Sequence, residues 1–273
     1  HRVVRSNDDN TFSIEAFEAA CADAGSSLKM VSMSHVGNLD GVKTPIKEIT
    51  KIAKDFGALV CVDGAQSTPH MKVDVQDLGI DFLAFSIHKM MGPSGMGGLW
   101  GHMNLLENMR SITSGGSTVE TSNYDSLVWS KPPDRFEGGL GNYAGILGTA
   151  AAVEYLSKLD LDKVHQHEIN LNKIMTSRIK DCAGVEIIGP QDASKRGGIC
   201  SLLLENVDPH DIAILLDEAA GVMVRSGMHC VHSWFNDRNL NSGSLRASGY
   251  LYNTDEEVKL FADTLVEAVT ALG

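Results

Sequence analysis

Two stretches decide the fold: Leu59-Val60-Cys61-Val62-Asp63-Gly64-Ala65-Gln66 and Phe82-Leu83-Ala84-Phe85-Ser86-Ile87-His88-Lys89. Each is a short apolar run closed by polar residues, an acid on the first and Ser-x-His-Lys on the second. Apolar runs of this length without alternation fit strands buried on both faces, as in parallel sheets. A glycine- and proline-rich turn, Gly92-Pro93-Ser94-Gly95-Met96-Gly97-Gly98, follows the second. In open α/β sheets, ligands bind beyond the carboxyl ends of parallel strands. A lysine held there loses its proton readily on desolvation and can form a Schiff base with an aldehyde. Asp63, at the end of the other strand, suits a protonated pyridine nitrogen, and Gln66 and Asn38 suit a phenolic oxygen on the same ring. Ser86 and His88, either side of Ile87, offer donors to a phosphate. These groups together match pyridoxal phosphate.

The flanking sequence supplies the rest of an α/β unit. Ser13 caps a helix running to about Ala24, and Leu28–Met33 reads as a strand. Thr44-Pro45 opens a second helix as N-cap and first residue, with Ile46, Ile49, Ala53 and Phe56 on one face and Gly57 beyond its end. Residues 114–135 lack periodicity and read as a long loop. An alanine-rich helix follows at 143–156. The last third reads as a separate unit: a long helix at 161–181, strands at 185–188, 199–204 and 222–225, a helix opened by Asp208-Pro209, and a final helix opened by the capping box Thr254-Asp255-Glu256-Glu257. A further strand is expected at 249–252. The expected organisation is a partial large domain over 1–158 and a small α+β domain over 159–273.

Composition narrows the function. The chain has 273 residues, 43% hydrophobic, with a net charge of −12. That length supports one large or two modest domains with a sizeable core. The acidic balance argues against nucleic acid and anionic membranes as partners. No apolar run reaches bilayer length, and no charged-then-apolar leader opens the chain. The five cysteines, Cys21, Cys61, Cys182, Cys200 and Cys230, are odd in number and form no CxxC pair, as expected in the reducing cytoplasm. Cys61 and Cys200 lie in apolar runs and read as core. No ligand set has metal-site spacing.

A second polar cluster is Arg225-Ser226-Gly227-Met228-His229-Cys230. Arg225 and His229 are basic neighbours that favour a reactive thiolate, and Gly227 suggests a loop able to swing the thiol. Taken alone, Cys230 reads first as an ordinary packed residue, with the reactive thiol as the rival. Arg246, in Ser244-Leu245-Arg246-Ala247-Ser248, presents a planar fork suited to a carboxylate or to a rim salt bridge.

These motifs resemble the class V, fold-type I pyridoxal-phosphate enzymes, and most closely the group II cysteine desulfurases and selenocysteine lyases. The anchors are Ser34-His35-x-x-Asn38, Val62-Asp63-Gly64-Ala65-Gln66, Ser86-x-His88-Lys89-x-x-Gly92-Pro93-x-Gly95, Arg135-Phe136-Glu137-x-Gly139, Arg225-x-Gly227-x-His229-Cys230, and Arg246-Ala247-Ser248 with Tyr252-Asn253-Thr254. The resemblance implies that Lys89 carries the cofactor, Asp63 holds its ring nitrogen, Asn38 and Gln66 its phenolic oxygen, and Ser86 and His88 its phosphate. It implies that Arg246, with Asn38 and Arg225, binds the substrate and that Cys230 takes sulfur from L-cysteine as a persulfide. It also implies a homodimer, a sulfur-acceptor protein and a role in iron–sulfur cluster assembly. The class also contains aminotransferases and lyases that form no persulfide, and a chain lacking part of the pocket could be an inactive fragment. Three departures stand out. Leu140 occupies the place of a phosphate-binding threonine, Met228 replaces a histidine, and the upstream phosphate-binding turn and ring-stacking histidine have no counterpart.

Overall fold

The computed structural model describes residues 1–272. Four strands, β1 (Met30–Ser34), β2 (Leu59–Asp63), β3 (Phe82–Ser86) and β4 (Gly97–Gly101), form one sheet in that order. β1, β2 and β3 run parallel and β4 returns antiparallel, so the sheet is mostly parallel, as the unalternating apolar runs require. Helices α1 (Ile14–Ala24) and α2 (Ile46–Asp55) and the short α3 (Val75–Leu78) connect and cover these strands. Their core is Phe17, Cys21, Ile46, Ile49, Ala53, Val60, Val62 and Ile80, all buried. The start of α1 follows the sequence: the Ser13 hydroxyl accepts from the Ala16 N–H at 3.2 Å. At α2 the expected Thr44 cap does not form. Thr44 donates its N–H to His35 O at 2.8 Å, and the helix begins one residue later than expected, at Ile46.

The residues after Lys89 hold more structure than the turn chemistry indicated, namely β4 and α4 (Met103–Asn108). Residues 114–135 contain a two-stranded hairpin, β5 (Val119–Ser122) and β6 (Leu127–Trp129), where a structureless loop was expected. Both strands are mostly exposed, so no buried face marks them in the sequence. α5 (Tyr143–Ser157) follows.

The second sheet is built from β7 (Val185–Ile187), β8 (Ile199–Leu204), β10 (Ser244–Ser248) and β9 (Arg225–Gly227), antiparallel throughout and in that spatial order. Helices α6 (Leu161–Ile179) and α7 (Pro209–Ala220) pack on it, and α9 (Asp255–Leu272) packs against both helices. Leu171, Met175, Leu202, Ile212, Leu216, Leu245 and Leu265 form its core. The capping box forms at α9: Thr254 N–H donates to Glu257 Oε2 at 2.9 Å and Glu257 N–H to Thr254 Oγ1 at 3.2 Å. α8 (His232–Asp237), not expected from the sequence, places Phe235 against Leu39 and Ile188 between the two sheets.

Two strands lie elsewhere than expected. β9 begins at Arg225, because only Arg225–Gly227 reach β10. The strand expected at 249–252 is a turn, closed by Asn253 N–H to Tyr250 O at 2.9 Å, and the true strand is β10 just before it. Arg246 is therefore held inside a strand. Among the described residues, no helix is long and apolar enough to cross a membrane, and all five cysteines are free. Cys21 and Cys200 are buried, whereas Cys61, expected in the core, is half-buried.

Candidate active site

Asp63 ends β2 in register with Ala84 of β3, and Ser86 ends β3 two residues further on. Parallel pairing thus brings Asp63 beside the segment that carries Lys89. That segment is a single 3₁₀ turn, Ile87–Met90, with Ile87 buried, His88 exposed and Lys89 half-buried. Ser86, at the end of β3, is half-buried. The turn is locked from behind. Gly92 N–H donates to Ile87 O at 3.0 Å, and any Cβ on Gly92 would strike the Ile87 side chain. Burial pushes the Lys89 amine below its usual pKa. Arg246 pushes the same way, while Asp63 and Cys230 oppose it. The ammonium thus lies within the electrostatic reach of groups from both sheets. The Asp63 carboxylate is exposed and accepts the Ala65 N–H at 2.8 Å.

The second sheet delivers the other residues. Arg246 Nη1 donates to Asn38 O at 2.7 Å, and its Nε is buried without a partner. Burial and the neighbouring Arg225 push the Arg246 guanidinium below its usual pKa. Neither arginine forms a salt bridge among the described residues. Two facing guanidiniums with an unused buried N–H make a receptor for an anion, and the planar fork favours a carboxylate.

Cys230 sits on a tight turn after β9. His229 and Cys230 both take left-handed backbone angles, φ 47° and 66°, an unfavourable conformation for residues other than glycine. The turn is tied down by Asn38 Nδ2 donating to His229 O at 2.7 Å. The result is an exposed thiol, with Arg225 Nη2 at 3.9 Å from Sγ. Two expectations are corrected here. Gly227 is paired with Ser244 within β9 and is not a free hinge. His229 is buried, with its Nε2 3.0 Å from Ser244 Oγ; burial, with help from Arg246 and Arg225, lowers its pKa to about 4. It is a neutral structural residue, so Arg225 is the cation beside the thiol.

Asn38 thus has a structural part the sequence did not disclose: its carbonyl seats Arg246 and its amide seats the Cys230 turn. Gln66 is half-buried and faces a cavity lined by His70 and Glu168. Leu140 is almost fully exposed. The sequence also passed over His70, whose ring Nδ1 lies 2.7 Å from the buried Glu168 carboxylate. The available signal was its position, four residues after Gln66 on the same turn.

The chain is similar to known proteins along nearly its whole length. A "Probable cysteine desulfurase" of Halalkalibacterium halodurans is 42% identical over 257 residues, which is 94% of this chain and 61% of that protein. A "Cysteine desulfurase" of Haloferax volcanii is 38% identical over 270 residues, 99% of this chain and 61% of the relative. The chain therefore spans about three fifths of the length of these curated relatives. Among solved structures, the apo cysteine desulfurase of Thermococcus onnurineus superposes with a TM-score of 0.92 at 35% identity, covering 99% of this chain and 66% of that one. A cysteine desulfurase of Escherichia coli gives 0.90 at 27% identity, covering 99% and 65%. These neighbours share the fold-type I architecture. The aminotransferase class-V model matches residues 2–261, and the chain belongs to that family.

Proposed function

We propose that this chain carries the catalytic groups of a pyridoxal-phosphate-dependent cysteine desulfurase, converting L-cysteine to L-alanine with transfer of sulfur to Cys230. One arrangement carries the reading: Lys89 and Asp63 stand at adjacent parallel strand ends, and both Arg246 and the Cys230 turn are hydrogen-bonded to Asn38, just beyond the end of the neighbouring β1.

The donor set fits the cofactor. A desolvated amine at Lys89 suits covalent attachment to an aldehyde, and the exposed Asp63 carboxylate suits a pyridinium. Ser86 and His88 would hold the phosphate, and Gln66 with Asn38 the phenolic oxygen. When bound, pyridoxal phosphate supplies an electron sink for bond breaking at the amino acid. Arg246 orients the substrate through its carboxylate, helped by Arg225 and seated on Asn38. Lys89, depressed in pKa, can give up and return a proton at the substrate carbon. Cys230 Sγ attacks the substrate sulfur. The C–S bond of cysteine breaks, an S–S bond forms on Cys230, and the carbon takes up a proton to become the methyl group of alanine. The sum is L-cysteine and a thiol giving L-alanine and a persulfide, with no outside oxidant.

The persulfide would pass to an acceptor protein, which in this class includes iron–sulfur cluster assembly. Five free thiols support a reducing, cytoplasmic setting. The exposed Leu140, Tyr143 and Leu147 support a homodimer contact at the start of α5. Two separate cores, one from residues 17–83 and one from 171–269, support a division between 158 and 159. The test is alanine production from L-cysteine by the purified protein, compared with Cys230→Ala. The proposal expects alanine formation from cysteine to be lost in the variant. Undiminished turnover and sulfide release in Cys230→Ala would move the chain to the lyase or aminotransferase reading.

A further inference from the structure

Away from Lys89, a cavity of about 430 Å³ opens between the turn after β2, the segment leading into α2, helix α6 and the start of β8. Its size is that of a small-molecule site, which typically spans about 300–1,000 Å³. Its chemistry is that of a built site. Glu168 lines it with a side chain at 0% exposure. One carboxylate oxygen, Oε1, takes the His70 ring at 2.7 Å, and the other, Oε2, is buried with no partner. His165, one turn earlier on the same face of α6, lines the cavity too, and its buried Nδ1 is likewise unpartnered. Burial, and then Lys43, push the His165 ring below its usual pKa, so it is neutral at pH 7. Lys43 and Lys195 line the same cavity as exposed cations.

A buried acceptor without a donor is costly, most of all for a charged group, and native interiors rarely leave one unmet. The arrangement asks for a donor at Glu168 Oε2 and an anion toward the lysines. We propose that the cavity is a second ligand site, for a small zwitterion of the amino-acid type. The ammonium group lies on Glu168 Oε2 and His165 Nδ1, and the carboxylate faces Lys43 and Lys195. The site stands apart from the desulfurase reading and needs neither cofactor nor turnover. It does touch that machinery, because Gln66 lines the same wall. The Tyr250 hydroxyl donates to Pro69 O at 2.8 Å, and its ring meets His70 edge-on at 4.6 Å, so the turn after β10 grips the turn that carries Gln66.

The test is calorimetric titration of the purified protein, without added pyridoxal phosphate, using glycine as the probe. One saturable site that depends on the cavity residues is expected, beside any binding at the Arg246 receptor. Glu168→Gln should weaken it at least about tenfold, the loss expected for a hydrogen bond to a charged group. Because Glu168→Gln also disturbs the His70 pair, Gly197→Leu serves as the second variant. A Cβ at Gly197 meets only Gly41 O, at 4.0 Å, so the side chain has room to enter the cavity while Glu168 and His70 stay in place. It too should abolish binding, while Arg246→Lys should leave it within about twofold. Acetate and methylamine, each carrying one half of the zwitterion, should bind more weakly than glycine. The proposal is overturned by absence of saturable glycine binding, which would mean a cavity holding water alone. It is overturned equally by binding that survives Gly197→Leu and disappears in Arg246→Lys, or by acetate binding as tightly as glycine in Arg246→Lys, where the carboxylate fork of the other site is removed.

Discussion

Replacing Arg246 by lysine isolates the fork from the charge. In the structure one guanidinium nitrogen is committed to Asn38 O at 2.7 Å, while the buried Nε has no partner. A lysine ammonium can keep one contact but cannot serve Asn38 and a carboxylate along two parallel directions. The variant should therefore lose one charged hydrogen bond to substrate, worth about 1.5–3 kcal/mol. At about 1.4 kcal/mol per tenfold, that is about 10- to 150-fold in KM for L-cysteine. The turnover number should fall less, because the clamp touches the carboxylate and not the breaking C–S bond. With no substrate bound the ammonium can stay on Asn38 O, so stability should change by less than about 1 kcal/mol, under about 4 °C in Tm for a chain of this size. Initial rates of alanine release across a cysteine concentration series, with a thermal melt of each protein, separate the two effects. Equal KM values in wild type and Arg246→Lys would refute the clamp and place the substrate carboxylate elsewhere.

Lys89 should be the residue labelled when the protein loaded with pyridoxal phosphate is reduced with borohydride and peptide-mapped, and Lys89→Ala should lose the label and all turnover. Asp63→Asn keeps the shape but not the charge, so kinetics should show kcat falling well below wild type with cofactor affinity less affected. His35, like His229, is lowered by burial to about 4, so the unfolded chain binds the extra proton. Its share of stability is therefore present above the unfolded value of 6.5 and fades as pH falls toward 4. His35→Gln should gain relative to wild type in urea melts over that window, by at most about 3 kcal/mol, and a constant difference would contradict it. Thr254→Ala breaks the α9 capping box and should cost about 1 kcal/mol, readable as a lower urea midpoint.

What the sequence disclosed follows from where its physical signals are strong. β2, β3 and β8 were legible because buried strands must be apolar along their length, and α7 and α9 because Asp208-Pro209 and Thr254–Glu257 are local capping signals. The β5–β6 hairpin left no such mark because neither strand has a buried face. Tyr250 and Tyr252 drew the last strand four residues too far, since aromatic residues favour strands and the turn closed by Asn253 is a tertiary choice. Within the site, residue types were legible and their environments were not. His229 is adjacent to Cys230 in sequence, yet its ring turns inward to Ser244 and is neutral. The bonds from Asn38 to His229 and from Arg246 to Asn38 join residues about two hundred positions apart, which no local pattern encodes. The orphaned Glu168 oxygen is likewise a property of packing alone.

Cys230, held exposed on its left-handed turn beside Arg225, is the residue expected to receive the sulfur. The most direct measurement incubates the protein, loaded with pyridoxal phosphate, with L-cysteine, traps thiols by alkylation and locates added sulfur by peptide mass mapping. One extra sulfur is expected on Cys230, absent in Lys89→Ala. Sulfur found on Cys21, Cys61, Cys182 or Cys200 instead, or on no cysteine while alanine accumulates, would contradict it.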